Sequence, residues 1–451
     1  MGITPRRGTP DRERRKYERG NQATARTWPT DYISVGGGLN DSLTYMLDGG
    51  THNDPYSNAD LPLPFPDALQ EFKVETSAVP AQYGQHSAGA VNGVTKSGSN
   101  EFHGNLFEFV RNKVFNARNA FATTRDGLKR NQFGGVIGGP IVRNKLFFFG
   151  GHQATITRSE ANVIVSYIPT LRMLTGDFTG ITAPACNSGR QITLRAPFNN
   201  NRIDPASFSK AAVTLVTKYL PTPIDECGQT VYGRKNNSDE QMTVGKVDYQ
   251  WSDKHSLFGR YQRGTLFTPN NYNGSNVLSL SIPDYSRRFH SFVLGDTYSI
   301  SPKAVSSFRG TVLRTVNDKN LVQDFYNYGD LGVKNLYYPA GWKHYVRLNV
   351  SGAFTQDVSA PGVTNSMVEQ FAEDLSLVRG AHQIGVGAHF IHSNMNYTSG
   401  TWTSGRFSFN GNTTGLALAD MMVGRPNEWR QDQIAAQYRR TSRLPTLISG
   451  T

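Results

Sequence analysis

The chain has 451 residues, with 47 Lys and Arg against 35 Asp and Glu, which gives a formal net charge of +12 with His neutral. Hydrophobic residues make up 37% and charged residues 18%, with 45 Gly, 20 Tyr and 25 Phe, a profile unlike both an ordinary helical protein and a disordered one. The longest strongly apolar run, 146–149, falls far short of the ~20 residues a spanning helix needs, so a helical membrane protein is excluded and a β membrane protein is not.

Residues 1–30 concentrate charge, with eight Lys or Arg and three Asp or Glu. This segment has one Tyr and no apolar periodicity, so it does not read as a nucleic-acid-binding surface. It has no apolar core of a secretory signal either, so it is left unassigned. From about 31 to 100 the sequence predicts a small αβ unit punctuated by Gly. SLTYMLDGG (42–50) reads as a short strand running into a tight turn at Asp48, Gly49 and Gly50, where positive φ is cheap. Four prolines between 55 and 66 forbid regular structure there, and Pro66-Asp67 suits a helix start. Phe72, Val74 and Thr76 then alternate as a strand, and AGAVNGVTKSG (88–98) follows as another after a turn near Gly84.

After residue 100 come aromatic, Gly-rich segments of about ten residues, predicted as strands over 102–112, 132–142, 145–158, 242–251, 255–265, 287–300, 304–316, 368–378 and 382–394. Val247, Tyr249 and Trp251 alternate with Lys246, Asp248 and Gln250, and Ile384, Val386, Ala388 and Phe390 alternate with Gln383, Gly385, Gly387 and His389. One face is apolar and the other polar or small. The gaps at 143–144, 252–254, 301–303 and 379–381 are tight turns, whereas 113–131, 159–241, 266–286, 317–367 and the stretch from 395 onward are long. Strict alternation of short and long connections is what an outer-membrane barrel requires, with turns on one side of the membrane and loops on the other. A soluble sandwich or propeller with polar-faced strands is the alternative at this point.

The segments LDGG (47–50), PLPFPDALQEFKVETS (62–77), AQYGQHSAGAVNGVTKSGSNEFHGNLFEFVRN (81–112) and NQFGGVIGGPIVRNKLFFFGG (131–151) resemble TonB-dependent outer-membrane receptors of the Oar-like group. GKVDYQWSDKHSLFGRYQ (245–262) and TGLALADMMVGRP (414–426) are similar to the same family. The resemblance implies a mainly β fold in which the C-terminal half of a plug (31–100) precedes the N-terminal part of a transmembrane barrel (101–451). It implies location in the cell outer membrane, contact with its lipid, and uptake of an unidentified extracellular ligand driven by a TonB-type energy-transducing complex. It implies no enzymatic activity and no cofactor. Surface adhesion or a structural role on the same scaffold is the alternative. Barrels of this family have about 22 strands, which at this spacing would need on the order of 800 to 900 residues, so the sequence reads as a fragment. The expected sheet is therefore an open, curved, antiparallel meander.

Several motifs have plainer readings. GAVNGVTKSG (89–98) lacks the Gly-Lys step of a phosphate loop, so Gly89, Gly93 and Gly98 are read as plug glycines that allow close backbone approach, together with Asp48, Gly49 and Gly84. DGGTHND (48–54) lacks the ligand order of a calcium loop, and His389 and His392 point to opposite faces of one strand, so no metal is expected. Cys186 and Cys227 fall in one long loop of an exported protein, where a disulfide is the expectation and unpaired thiols the alternative. Phe147, Phe148, Phe149 and Trp251 are read as an interfacial aromatic girdle, with ligand contact as the alternative.

Overall fold

A computed structural model describes residues 42–54, 58, 61–76, 89–118, 127–159, 161–320, 325–336, 345–400 and 403–431, and the backbone of 436–450. Gly84 lies outside the described residues. Four strands come first: β1 (Leu43–Leu47), β2 (Gly50–Thr51), β3 (Leu69–Glu75) and β4 (Gly89–Thr95). They form one sheet in the order β2-β1-β4-β3, with β1 parallel to β4 and the other pairs antiparallel. The helix start at Pro66 yields a single 3-10 turn, Pro66–Ala68, because the alternating residues that follow commit the chain to β3 at once.

The remaining strands are β5 (His103–Asn112), β6 (Lys129–Val142), β7 (Leu146–Arg158), β8 (Asn162–Tyr167), β9 (Gln229–Arg234), β10 (Ser238–Ser252), β11 (His255–Thr268), β12 (Asp284–Ser301) and β13 (Ala304–Asn320). After them come β14 (Arg347–Val350), β15 (Phe354–Asp357), β16 (Gly362–Arg379), β17 (His382–Ser399), β18 (Arg406–Phe409), β19 (Glu428–Arg430) and β20 (Ala436–Gly450). Ten of these build one sheet in the order β5-β6-β7-β10-β11-β12-β13-β16-β17-β20. Every neighbouring pair is antiparallel, so the wall is an up-and-down meander with β5 and β20 as its edges. No closed barrel forms among the described residues.

All nine expected wall strands are present, several of them longer than the sequence pattern indicates, and β20 is a tenth. Its sequence, AQYRRTSRLPTLISG, breaks the apolar-polar alternation and contains Pro445 opposite Phe390.

Side chains alternate over the middle of the wall. Met242, Val244 and Lys246 on β10, Arg260 and Gln262 on β11, Phe289, Ser291 and Val293 on β12, and Thr311, Leu313 and Thr315 on β13 are buried. On the opposite parity, Val247, Tyr261, Phe292, Leu294 and Val312 are large, apolar and exposed. The inner face is therefore mixed and covered, and the outer face is apolar and bare, the inverse of a soluble sheet.

The long connections are not loose. Residues from 168–232, 277–280, 325–358 and 407–423 share one hydrophobic core, which includes Ile168, Phe178, Leu278, Tyr345 and Met422. The short strands β14, β15, β18 and β19 form a small sheet within this layer, and β8 pairs with β9. Cys186 and Cys227 are bonded to each other there, with Cα atoms 5.4 Å apart. The long connections thus make a folded cap over one end of the wall.

Candidate functional site: the contact between the small sheet and the wall

The tip of the β1-β2 hairpin is the two-residue turn Asp48-Gly49, with φ of 52° and 78°. Asp-Gly suits this turn because both positions need a left-handed backbone. The turn drives the Asp48 carboxylate into the wall, where its side chain is almost fully buried.

Within the small sheet, Asp48 Oδ1 accepts from the Thr95 backbone N (2.9 Å) and Oγ1 (3.0 Å), which ties β1 to the end of β4. From the wall, Arg260 Nε donates to Asp48 Oδ2 at 3.1 Å. Arg260 is 0% exposed, and its other donors reach Ser291 Oγ (2.8 Å), Ser291 O (3.3 Å) and Leu47 O (3.2 Å). Lys246 Nζ stands 3.6 Å from Asp48 Oδ1 and donates to Thr95 O at 3.2 Å. One buried carboxylate of the small sheet is thus held by two buried cations of the wall, with further hydrogen bonds satisfying both sides, the condition under which a buried ion pair is tolerated.

Apolar contacts flank this pair. Leu61 is buried among Leu266, Phe289, Leu313, Val368 and Ile391 of five successive inner faces. Phe65 and Ala68 pack on Phe149, Met242 and Val244. Thr51 N donates to Gln370 Oε1 (2.7 Å), adding a backbone link to β16. His52 is fully buried beside them; its Nε2 donates to Pro62 O at 3.0 Å, and its ring meets Phe289 edge-on.

The glycines of the small sheet serve different ends. A Cβ on Gly50 would come within 2.5 Å of Thr311 Oγ1 and 2.7 Å of Val293 Cγ2, so the hairpin approaches the wall more closely than any side chain permits. A Cβ on Gly98 would meet Phe148 O at 2.3 Å and Gly139 O at 2.7 Å, where the chain crosses the β6-β7 hairpin. Gly93 packs under Leu47 and Leu63 inside the small sheet, Gly89 pairs with Leu43 at the start of β4, and Gly49 faces the Arg309 side chain. Gly50→Val should weaken docking of the small sheet by about 1–3 kcal/mol through overpacking. Faster proteolysis within 42–95 in the variant than in the wild type would report it; equal rates would contradict it.

One sequence expectation is corrected. Phe149 is no girdle residue: it faces inward and packs on Phe65, because its parity on β7 places it opposite Phe148. Trp251 and Phe102, which lies against Phe148, are exposed on the outer face. Of the polar triplet on β10, Lys246 touches the small sheet, whereas Gln250 is exposed and donates to Ser252 O within its own turn. The charge contact across the interface runs through Asp48 to Lys246 and Arg260. Arg260 and His52 have no such reading in the sequence, and Gly50, expected in the turn, lies instead in β2, where closeness to the wall and not positive φ requires glycine. The only signal for Arg260 was a charged residue on the inward parity of a strand.

Beside the ion pair lies a cavity of about 350 Å³ between β1, β4 and the wall, lined by Asp48, Asn92, Lys246, Arg309, Gln370, Asp374 and His389 among others. No group of three or more metal-ligating side chains occurs among the described residues.

Comparison with known proteins fits this architecture. The family described as outer membrane beta barrel domain matches residues 94–446. The TonB-dependent transporter Oar of Myxococcus xanthus is 29% identical over 136 residues, 28% of this chain and 13% of that protein. Among solved structures, the outer membrane transporter YddB from Escherichia coli is similar over 94% of this chain and 48% of its own length, with 12% identity and a TM-score of 0.49. The siderophore receptor PirA from Acinetobacter baumannii is similar over 81% of this chain and 42% of its own, with 11% identity and a TM-score of 0.46. The chain therefore spans half or less of the length of these proteins.

Proposed function

Because the chain belongs to the outer membrane beta barrel domain family and so to the cell outer membrane, we propose that it is part of an energy-coupled transporter whose lumen is closed by a plug. In this reading residues 31–100 are the C-terminal half of the plug, 101–451 the N-terminal part of the barrel, and 1–30 lies outside both. An extracellular ligand engages the cap and the plug, and a TonB-type complex withdraws or rearranges the plug to admit it. No bond of the ligand is made or broken.

The observation that supports this most directly is the lock at Asp48. A plug that must move needs contacts that hold at rest and release under load. A single carboxylate between Arg260 and Lys246 answers that need better than a continuous apolar core, since its groups regain water on withdrawal. The similarity of 28% of this chain to a TonB-dependent transporter supports it independently.

The test uses the full-length gene product in a planar bilayer without an energy source. It should show no steady conductance, and cells should take up ligand only when the energy-transducing complex is present. Large, steady, ohmic channels in the wild type would eliminate the plugged transporter. A closed barrel that supports no uptake with the complex present would favour adhesion.

A further inference from the structure

The small sheet meets the wall at a second place, through a backbone donor rather than a charge. β2 is an edge strand of the small sheet, and its link to β1 runs through His52 N, which donates to Tyr45 O at 2.8 Å. The neighbouring Thr51 N–H points the other way, as alternate donors of an edge strand do. Thr51 is buried, and this N–H donates to Gln370 Oε1 of β16 at 2.7 Å. Gly50 brings the hairpin this close: it lies on Thr311, and the β13-β16 register sets Thr311 beside Gln370. Gln370 is itself buried, and its Nε2 lies 2.8 Å from Nε2 of His389 on β17.

Donors and acceptors fix the state of each group in this chain. A backbone N–H can only donate, so the Gln370 carbonyl oxygen must face Thr51. Its amide nitrogen then faces His389, and because that nitrogen also only donates, Nε2 of His389 must accept. An imidazole that accepts at Nε2 is neutral and carries its proton on Nδ1. A second proton would set Nε2–H against the amide N–H of Gln370. Turning the amide over would mend that contact but aim its nitrogen at the Thr51 N–H, leaving a buried backbone donor without an acceptor. Either way one link is lost. Protons can reach the imidazole, because Thr51, Gln370 and His389 all line the cavity of about 350 Å³, a polar space with room for water. The charged groups lining it with His389 are Asp374 of β16, Arg309 of β13, Lys246 of β10 and Asp48 of the hairpin, two of each sign. On the β20 side the residue in register with His389 is Thr446, and Arg443 is in register with His392.

We propose that Gln370 and His389 form a proton-sensitive latch on the small sheet, closed while His389 is neutral and released when it takes up a proton. The docked state needs Nε2 bare, whereas the undocked state leaves it free to be protonated. Docking therefore excludes a proton, and by linkage a fall in pH through the range in which an imidazole titrates favours release. The latch is separate from His52, which belongs to the small sheet and bonds to Pro62 O. Its consequence alone rests on the plugged-transporter reading: there, acid would lower the work needed to withdraw the plug.

Proteolysis within 42–95 of the full chain in detergent, from about pH 8 to about pH 5.5, reads the docking. Rates are compared between variants at each pH, which cancels the contribution of His52 and the pH dependence of the protease. His389→Gln offers an amide oxygen to Gln370 at every pH. The ratio of the wild-type rate to the rate of this variant should therefore rise on the order of tenfold as the pH falls. Gln370→Glu accepts from Thr51 N and from a protonated His389 alike, so protonation now helps docking. The ratio of its rate to that of Gln370→Glu combined with His389→Gln should fall over the same range. A wild-type ratio that stays flat, or ratios that move the same way in both pairs, would overturn the latch. Should Gln370→Glu lose its β-sheet circular dichroism, the wild-type ratio decides alone. Conductance of the full-length protein separates the two readings: a rising wild-type ratio in a protein that conducts steadily at every pH would keep the latch and eliminate the plugged transporter.

Discussion

Arg260→Ala should unseat the small sheet from the wall at a cost of about 3–5 kcal/mol, the range for stripping one partner from a buried ion pair. The variant would leave the Asp48 carboxylate buried beside Lys246 alone, at 3.6 Å, and would also strip donors from Leu47 O and Ser291. The loss is asymmetric. Combining Arg260→Met with Asp48→Leu removes both charges and fills part of the volume, so the double variant should be damaged less than the sum of the single ones. Thermal melts and limited proteolysis of residues 42–95 measure the docking, and conductance of the full-length protein measures the consequence, with the Arg260→Ala variant leaking where the wild type does not. A cost under about 1 kcal/mol would mean that the apolar contacts of Leu61 and Phe65 hold the unit unaided.

Much of this architecture was legible in the sequence because a sheet with lipid on one side and polar matter on the other writes its period into the chain. Val247, Tyr249 and Trp251 against Lys246 and Asp248 gave both the strand and its inward face. The failures have physical causes. β20 escaped because AQYRRTSRLPTLISG, with Pro445 and adjacent arginines, does not alternate apolar and polar residues. The cap escaped because its core assembles residues from four separate connections, none of which is periodic alone. Phe149 was misread because three consecutive Phe residues fix neither parity nor partner; only Phe65, 84 positions earlier in the sequence, assigns it to the inner face. Asp48 was singled out as a turn residue, which it is, but its partner Arg260 lies 212 positions away. No local pattern joins the two.

Acid should loosen the same contact through His52. Burial, reinforced by the positive charge of Arg260, lowers its pKa from 6.5 to about 4. The geometry agrees: Nε2 donates to Pro62 O, and Nδ1 has no hydrogen-bond partner among the described residues, so a second proton would occupy a buried nitrogen facing no acceptor. With the folded pKa below the unfolded one, the unfolded state binds the proton first. The contribution of His52 is therefore fully present above about pH 6.5 and is lost as the pH falls toward 4, by up to about 3 kcal/mol. A wild-type protein should accordingly show docking of the small sheet that weakens between pH 6.5 and 4, read by proteolysis or denaturant midpoint. His52→Gln keeps a donor for Pro62 O and cannot take up a proton, so the pH dependence of the variant should be flatter by that amount, whatever the carboxylates contribute to both proteins. Parallel pH profiles for the two would remove His52 as the cause. A loss in the variant that is the same at every pH would mean that the neutral imidazole also holds the hairpin by its shape against Phe289.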